Sequence, residues 1–212
     1  MGEQLFRNLK ILKKCILKII YPSEGKCIIC NKDGYEGICN SCLKEITFCN
    51  NSDLCIGYYK GVLKKLILLL KYKSDFEAGE ILTDLLADKL KGISKDYYLT
   101  YIPIGKISLE KRRFNQCEYI ANELGIKLGL KVVNTLKRVK ETKVQKTLKR
   151  EERLENLKNA FGIINEDFIR GRKFILIDDV MTTGATLYEG KKVLESMGAK
   201  EVTLLCVAKS TL

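Results

Sequence analysis

The chain of 212 residues contains no histidine and no tryptophan, and it has only two prolines. The lack of imidazole excludes Ser-His-Asp hydrolysis, Cys-His nucleophile pairs and His-ligated catalytic zinc. Any general base must therefore be Asp, Glu, Lys, Tyr or water. The few prolines, together with 46% hydrophobic and 30% charged residues, argue against disorder and Pro-rich linkers and indicate a folded protein.

Long uncharged apolar runs are also missing. Lysines and an arginine interrupt the apolar positions of the first twenty residues, MGEQLFRNLKILKKCILKII, so this segment lacks the core of a signal peptide. The apolar run at 66–70 is far shorter than the roughly 20 residues that span a bilayer. We therefore expect a cytoplasmic protein without a membrane span. Residues 1–24 are predicted to form an amphipathic helix that packs on the main body or, alternatively, binds a membrane surface or a partner.

Positive charge, in contrast, is abundant. The net charge of +12 suits phosphate, nucleic acid or an anionic membrane as a partner. Residues 137–150 concentrate this charge, with seven Lys or Arg and one acid, and can form a solvated surface, a nucleic-acid groove or a flap over pyrophosphate. The candidates for DNA contact are Lys143, Lys146, Lys149 and Arg150. The candidates for base stacking, unless they pack in the core, are Tyr58, Tyr59, Tyr72, Tyr97, Tyr98 and Tyr101.

The nine cysteines are odd in number and unevenly spread, which does not suit a disulfide framework in a secreted protein. Four of them form two C-x2-C pairs separated by eight residues. Two such turns that face each other make a tetrahedral thiolate cage for structural zinc. A pair of disulfides and an iron–sulfur cluster are the alternatives. The predicted zinc ligands are Cys27, Cys30, Cys39 and Cys42, with Cys49 or Cys55 as a substitute for one of them.

Three regions follow from these patterns. Residues 25–56 are rich in turns and cysteines and need a staple in order to fold. From about residue 57, strands alternate with helices, which predicts crossovers and a mostly parallel sheet. We therefore expect a helix at 1–24, a zinc knuckle at 25–56 and an α/β domain at 57–212. The predicted strands are 97–104, 131–139, 173–180 and 201–208, and the predicted helices of this domain are 59–73, 75–90, 115–128 and 184–197.

The third of these strands leads into the clearest chemistry of the chain. An apolar run, Phe174–Ile177, delivers Asp178 and Asp179 to the carboxyl edge of the sheet, where ligands of open α/β folds bind. The next residues, Thr182-Thr183-Gly184, lead into a helix whose free N–H groups, with the threonine hydroxyls, form a phosphate cradle. The alternative is a plain strand-to-helix turn with an Asp cap.

Residues 177–186, IDDVMTTGAT, resemble the phosphoribosyl pyrophosphate (PRPP) loop of type I phosphoribosyltransferases. The four-cysteine knuckle and the segment KRRFNQ at 111–116 narrow the resemblance to the ComF family of late-competence, phosphoribosyltransferase-like proteins. The resemblance runs from about residue 20 to the end and implies a type I phosphoribosyltransferase-like fold with flanking helices. A spaced set of residues also carries it: Arg138, Thr142, Gln145, Leu148, Arg153, Asn156 and Phe161.

The resemblance implies roles for the matching residues. Asp178 and Asp179 would be the catalytic pair that contacts the ribose hydroxyls of PRPP, directly or through Mg²⁺. The turn Pro103–Lys106 would be the pyrophosphate loop, and residues 140–158 a mobile flap. The residues implied on the pyrophosphate side are Lys106, Arg112, Asn115 and Gln116. Those implied to hold the 5′-phosphate are Val180, Met181, Thr182, Thr183, Gly184, Ala185 and Thr186.

One residue departs from the family pattern. Arg113 stands where the usual Arg-Gly-Phe-Asn-Gln sequence has a glycine. Glycine adopts backbone conformations that side chains disfavour. The substitution therefore bears on the backbone geometry of this segment and leaves its positive charge intact.

The function implied by the resemblance is PRPP binding and single-stranded DNA binding in the cytoplasm, in the DNA uptake of natural transformation. Structural Zn²⁺ and PRPP-associated Mg²⁺ are the implied cofactors, and other DNA-uptake proteins are further candidate partners. Two alternatives stay open: an active phosphoribosyltransferase acting on a nucleobase, ammonia or another acceptor, and a PRPP-sensing regulator without turnover. Transfer through a cation-like sugar needs no protein nucleophile, so the lack of histidine is compatible with each of them.

Overall fold

The computed structural model describes residues 25–50, 54–140 and 159–210. The predicted helix at 1–24 and most of the predicted flap lie outside these residues, as do Lys143, Lys146, Lys149 and Arg150. The chain divides into two compact units after Glu45. Residues 46–56, which the sequence analysis grouped with the cysteine-rich region, belong to the second unit.

Among the described residues, no helix combines the length and the apolar character that a membrane crossing requires.

The described part of the first unit, residues 25–45, consists mainly of turns. Lys26 and Asp33 form an antiparallel bridge around the first cysteine pair. Helix α1 (Asn40–Lys44) follows, and Cys39 caps its amino end by accepting a hydrogen bond from the Cys42 N–H. Cysteine therefore serves here both as a helix cap and as a member of the cluster described below.

The second unit contains a five-stranded parallel sheet with the strand order β1-β7-β6-β2-β3. The prediction of a mostly parallel sheet flanked by helices is therefore confirmed. A separate two-stranded antiparallel sheet pairs β4 with β5. The strands are β1 (Cys55–Tyr58), β2 (Tyr97–Tyr101), β3 (Lys131–Val132), β4 (Leu136–Arg138), β5 (Phe161–Ile163), β6 (Lys173–Met181) and β7 (Glu201–Lys209).

Helices pack on both faces of the sheet. They are α2 (Gly61–Lys73), α3 (Phe76–Lys89), α4 (Lys106–Arg112), α5 (Gln116–Leu128), α6 (Glu166–Ile169) and α7 (Ala185–Ser196). Helix α3 packs between α2 and α5, and α5 packs on β2 and β6. Helix α7 packs on β6 and β7.

Strand β6 is the centre of the core. Its run Phe174–Ile177 is fully buried, as expected of a parallel strand that is covered on both faces. Leu176 faces α7, where a side chain at Gly190 would meet Leu176 at 2.9 Å. Successive side chains of a strand point to opposite faces. Ile175, which pairs with Leu99 of β2, therefore lies on the opposite face.

Two differences from the predicted strands have a tertiary cause. The predicted strand at 131–139 is split, because β3 pairs with β2 whereas β4 leaves the main sheet to pair with β5. Strand β1, which the sequence analysis did not predict, pairs with β7 along one edge of the sheet. A short strand such as β1 carries too few residues for a period-2 signal.

Candidate functional site

Asp178 and Asp179 lie near the carboxyl end of β6, as the sequence predicted. The Asp179 N–H donates to Asp178 Oδ1 at 2.8 Å, and the Val180 N–H donates to Asp179 Oδ1 at 2.6 Å. Both carboxylates therefore accept hydrogen bonds from the backbone of their own strand end. This arrangement holds the two acids in defined orientations at the edge where parallel sheets bind ligands.

Asp179 is the more enclosed of the two acids and has two side-chain partners. Gln116 Nε2 donates to Asp179 Oδ2 at 2.8 Å, and Lys71 forms an ion pair with the same oxygen. The sequence analysis identified Gln116 but missed Lys71. Lys71 follows Ile67 by four residues and Leu63 by eight on α2, so it lies on the buried stripe of this helix. A lysine in an apolar stripe was the signal that could have identified it.

The charges around the pair push the two pKa values apart. Burial raises the pKa of Asp178 to about 7, and the neighbouring Asp179 charge adds to the rise. Burial also acts against ionisation of Asp179, but the Lys71 ammonium and the hydrogen bonds from Gln116 and the Val180 N–H together hold the pKa of Asp179 below its ordinary value. Burial likewise acts against the charged form of Lys71, but the groups around it, chiefly the Asp179 carboxylate, together raise the pKa of that ammonium. Lys71 and Asp179 are therefore both ionised in this buried setting.

Arg112, Asn115 and Gln116 connect the acid pair to the loop after β2. Arg112 Nη1 donates to Gln116 Oε1 at 3.0 Å. Asn115 Nδ2 donates to the Ile102 carbonyl at 3.0 Å, and Asn115 Oδ1 caps α5 by accepting from the Cys117 N–H at 3.0 Å. The structure therefore brings together three of the four residues expected on the pyrophosphate side. The fourth, Lys106, opens α4 with an exposed side chain.

Arg113 adopts the conformation that glycine would supply. Its φ of 62° and ψ of 2° lie in the left-handed region, at the carboxyl end of α4. Its N–H donates to the Leu109 carbonyl at 2.6 Å. The segment therefore keeps the backbone turn of the glycine-containing pattern, and the arginine side chain bears the steric cost of that turn.

The residues after β6 form the predicted strand-to-helix turn. Gly184 has a φ of 77° and precedes the first residue of α7, Ala185. Thr183 Oγ1 accepts a hydrogen bond from the Ala185 N–H at 3.3 Å. Amide groups at the start of a helix attract anions. The turn therefore lies where a phosphate group can bind, directly after the two carboxylates.

A third side chain joins the two acids. Cys117 Sγ, Asp178 and Asp179 offer ligand atoms that lie within 4.8 Å of one another, and Cys117 Sγ donates to Asp178 Oδ1 at 3.6 Å. Burial, together with the charges of Asp179 and Asp178, keeps the pKa of this thiol well above its ordinary value. Mg²⁺ prefers oxygen ligands. The two carboxylates therefore fit this cation, whereas the protonated thiol does not.

The two cysteine pairs meet in the first unit. The sulfur atoms of the four cysteines all lie within 4.8 Å of one another, and the Sγ atoms of Cys30 and Cys39 are 3.7 Å apart. Four thiolates around zinc at about 2.3 Å form a tetrahedron with edges of about 3.8 Å. The spacing and the donor set therefore fit a four-thiolate metal centre. Its members are Cys27, Cys30, Cys39 and Cys42.

Backbone amides support negative charge in this cluster. The Cys39 N–H donates to Cys27 Sγ at 3.3 Å, and the Cys42 N–H donates to Cys39 Sγ at 3.4 Å. Burial opposes ionisation of Cys27, but the backbone amides outweigh it and lower the pKa of this thiol to about 6. Burial and the neighbouring sulfurs raise the pKa of Cys42. Without a cation, the Cys27 thiolate therefore opposes ionisation of Cys42, and a bound metal cation would remove that opposition.

Cys49 and Cys55 have another environment. Both are buried in the apolar core of the second unit, where Cys206 also packs. The register of β1 and β7 pairs Cys55 with Cys206. Among the described residues, the four-cysteine group in the first unit includes neither Cys49 nor Cys55.

Comparisons with known proteins agree with this geometry. Residues 115–211 match the phosphoribosyl transferase domain family. The chain is 29% identical over 184 residues to Competence protein F of Haemophilus influenzae, covering 83% of this chain and 80% of that protein. It is 30% identical over 162 residues to DNA utilization protein YhgH of Salmonella typhimurium, covering 73% of this chain and 70% of that protein.

Solved structures match more distantly. Adenine phosphoribosyltransferase from Thermoanaerobacter pseudethanolicus is 17% identical with a TM-score of 0.42, and the match covers 65% of this chain and 83% of that one.

Proposed function

The chain belongs to the ComF family of competence and DNA utilization proteins with a phosphoribosyltransferase domain, and from this membership we propose that it binds PRPP and single-stranded DNA during DNA uptake. PRPP binding is proposed from one observation: Asp178 and Asp179 lie near the end of β6, and the turn that follows leads through Gly184, at a positive φ, into the start of α7. This combination offers carboxylates to ribose hydroxyls and backbone amides to the 5′-phosphate of the same molecule.

The residues around the acid pair would divide the work of binding. Asp178 and Asp179 accept hydrogen bonds from the ribose hydroxyls, and Lys71 keeps Asp179 ionised in its buried position. Residues 180–186 bind the 5′-phosphate. Gln116 orients Asp179, and Arg112, which contacts Gln116, lies where its guanidinium can approach the pyrophosphate in a bidentate manner.

Two metals are part of the proposal. The acid pair would hold Mg²⁺ together with PRPP, and the cation would supply charge neutralisation for the leaving pyrophosphate. Structural Zn²⁺ would be held by the four cysteines of the first unit. The eight described cysteines are thiols rather than disulfides, which matches both a thiolate site and the reducing cytoplasm that we propose for the protein.

The DNA half rests on the family and on charge. Relatives carry the names of competence and DNA utilization proteins, and the net charge is +12. Binding through phosphate neutralisation should weaken steeply with salt. The predicted basic residues Lys143, Lys146, Lys149 and Arg150 remain candidate contacts, and other DNA-uptake proteins remain candidate partners.

Calorimetric titration of PRPP with Mg²⁺ tests the PRPP half. Binding to the wild-type protein should be lost in the double variant Asp178→Asn, Asp179→Asn, because its amides replace the ionised acceptors. The matched control is Asp84→Asn, Asp88→Asn, which removes the same charge from exposed positions of α3 and should bind normally. Absence of binding to the wild type, or equal binding to both double variants, would reject the proposed site.

An assay of pyrophosphate release by the same protein distinguishes an enzyme from a binding protein without turnover. The carboxylates and the phosphate turn keep the residue types that an active phosphoribosyltransferase needs, so pyrophosphate release should be assayed with nucleobases, ammonia and DNA ends as acceptors. Release that depends on an acceptor and is lost in Asp179→Asn would identify an enzyme. Tight PRPP binding without release would instead favour a PRPP-sensing role.

A further inference from the structure

Half-exposed aromatic rings and arginines form one surface beside the acid pair. We call this surface the stacking patch. Its aromatic members include Tyr72, which is 52% exposed, and Phe76, which is 48% exposed. Large aromatic side chains usually bury most of their area, and exposed apolar groups collected in one place mark binding surfaces. The residues of the stacking patch are Tyr72, Phe76, Arg112, Arg113 and Phe114.

Contacts hold the members of the stacking patch in place. The Arg112 guanidinium lies over the Tyr72 ring at 5.3 Å from the centroid. Two residues further along, the Phe114 ring packs on Phe76 with a centroid distance of 5.6 Å. The Tyr119 ring also packs against Phe76, with 5.1 Å between the ring centroids. The rings are therefore fixed by their neighbours, which lowers the entropy that a ligand must remove on binding.

Hydrogen bonds connect the stacking patch to the acid pair. Arg112 Nη1 donates to Gln116 Oε1, and Gln116 Nε2 donates to Asp179 Oδ2. Arg112 therefore contacts both the Tyr72 ring and Gln116, the side chain that orients Asp179. A strand that lies on the patch would pass beside the pocket proposed for PRPP.

The helix that leads into the patch is exposed and basic. None of the residues of α4 is buried, and its apolar residues Ile107 and Leu109 are 58% and 46% exposed. Lys111, Arg112 and Arg113 follow one another in the sequence. A helix whose only task was core packing would bury an apolar face. The surface instead combines apolar contact area with positive charge.

From these contacts we propose that the stacking patch binds the bases of single-stranded DNA, which deepens the proposed function and rests on its DNA half. Tyr72 and Phe76 stack on successive bases, and Lys111 and Arg113 neutralise the adjoining phosphates. The Arg112 guanidinium, which lies over the Tyr72 ring, helps to hold that ring in place. Aromatic faces with nearby cations are the surfaces on which single strands bind without sequence preference.

The chemistry of the patch selects single strands over duplex DNA. A duplex presents phosphates and groove edges, whereas its base faces are stacked inside and cannot reach Tyr72 or Phe76. A single strand offers base faces and phosphates together. The patch should therefore discriminate against duplex DNA to an extent that a purely basic surface cannot.

Fluorescence anisotropy with labelled oligonucleotides tests this proposal on the full chain. The probes are oligothymidylate, an abasic strand of equal length and charge, and a duplex. Tyr72→Ala and Phe76→Ala should each weaken oligothymidylate binding by about 5- to 100-fold and should leave the weaker abasic binding unchanged. Tyr72→Phe keeps the ring and should bind as the wild type does. Arg113→Gln should weaken both single-stranded probes and reduce the salt dependence by about 0.7 for one lost phosphate contact.

Matched controls separate the patch from the fold and from the PRPP site. Phe48→Ala removes a ring of similar exposure, 46%, elsewhere in the second unit and should not change DNA binding. PRPP titration of Phe76→Ala should match the wild type. Normal oligothymidylate affinity in both alanine variants would overturn the patch while the DNA function stands. A wild-type protein that binds none of the three probes would overturn the DNA function, and the patch with it.

Discussion

The two compact units are stabilised in opposite ways. In the described part of the first unit, residues 25–45, every buried residue is a cysteine of the four-cysteine cluster. In the second unit, the buried residues are mostly the Leu, Ile, Val and Phe side chains of a sheet covered by helices. A segment of about 20 residues cannot bury enough apolar area to offset its conformational entropy. We therefore expect residues 25–45 to depend on a bound metal for their fold, whereas the second unit depends on its core.

The second unit also contains buried charged groups, whose desolvation costs folding free energy that the apolar core offsets. Lys71, Gln116 and Asp179 are packed together at the end of β6. Buried charges of this kind seldom increase stability over an apolar alternative, but removing one partner is costly. The large apolar core of the second unit therefore supplies the folding free energy that a buried charged site requires, and residues 25–45 contain no such core.

The largest expected effect is on the first unit, through loss of its metal. Metal analysis of the purified chain should find about one zinc, since structural zinc contributes roughly 10–16 kcal/mol of binding free energy to folding. Cys30→Ser should lose the zinc and the hydrogen-exchange protection of residues 25–45. The Cys30 side chain is exposed, so the substitution removes a ligand without opening the core.

The second unit provides the control for this experiment. Cys49→Ala alters a buried thiol of the other core and should keep the zinc. In the Cys30→Ser variant, peptides of the central sheet should keep their protection. Bound iron with visible absorbance would contradict the zinc prediction, whereas sheet peptides that exchange as fast as residues 25–45 would contradict the separate stabilisation of the two units.

The next effect concerns the buried ion pair. Lys71→Met should destabilise the second unit by about 3–5 kcal/mol, because it leaves Asp179 buried without its cation. The double variant Lys71→Met, Asp179→Asn should regain part of this loss. Lys127→Met is the control, since its partner Asp84 is 61% exposed, and it should cost less than about 1 kcal/mol. Urea unfolding followed by circular dichroism measures all three; equal costs for Lys71→Met and Lys127→Met would show that the Lys71 pair is not effectively buried.

A smaller effect is expected at two glycines with positive φ, of which only Gly184 lies in the proposed phosphate turn. Gly184→Ala and Gly171→Ala both place a side chain at positive φ, 77° and 72°, which costs about 1–2 kcal/mol each. Gly171 has no atom within 4 Å of an added Cβ and lies outside the phosphate turn. Both variants should melt earlier than the wild type, but only Gly184→Ala should lose affinity for PRPP. Equal PRPP affinity in the two variants would remove the turn from the site.

The smallest expected effect is a gain in stability. Arg113→Gly should relieve about 1–2 kcal/mol of left-handed strain, and the freer unfolded chain should offset about 0.4–1 kcal/mol of it. The control is Arg170→Gly at an ordinary φ of −55°, which should destabilise instead. Thermal unfolding compares the two variants, and a loss of stability in Arg113→Gly would mean that the arginine side chain contributes more than its backbone strain costs.

Several parts of the site could be predicted because they depend on neighbours in the sequence. An apolar strand followed by Asp178 and Asp179, and then by Gly184 and a helix, determines a carboxyl edge and a helix start within a few residues. The cysteine spacings similarly predict the metal cluster. Helices α2, α3, α5 and α7 follow the 3.6-residue period of their buried positions. Local geometry is sufficient in each case.

Other parts depended on tertiary structure, because they join segments that are distant in sequence. Periodicity predicted helix α2 but did not reveal that Lys71 meets Asp179 of β6. Similarly, the edge strand β1 forms because it pairs with β7. The role proposed for Tyr72 follows only from its contact with Arg112. The sequence by itself determined the chemical groups and their local order, whereas the order of strands in the sheet decided which groups meet. That order is a property of global packing, and no local pattern encodes it.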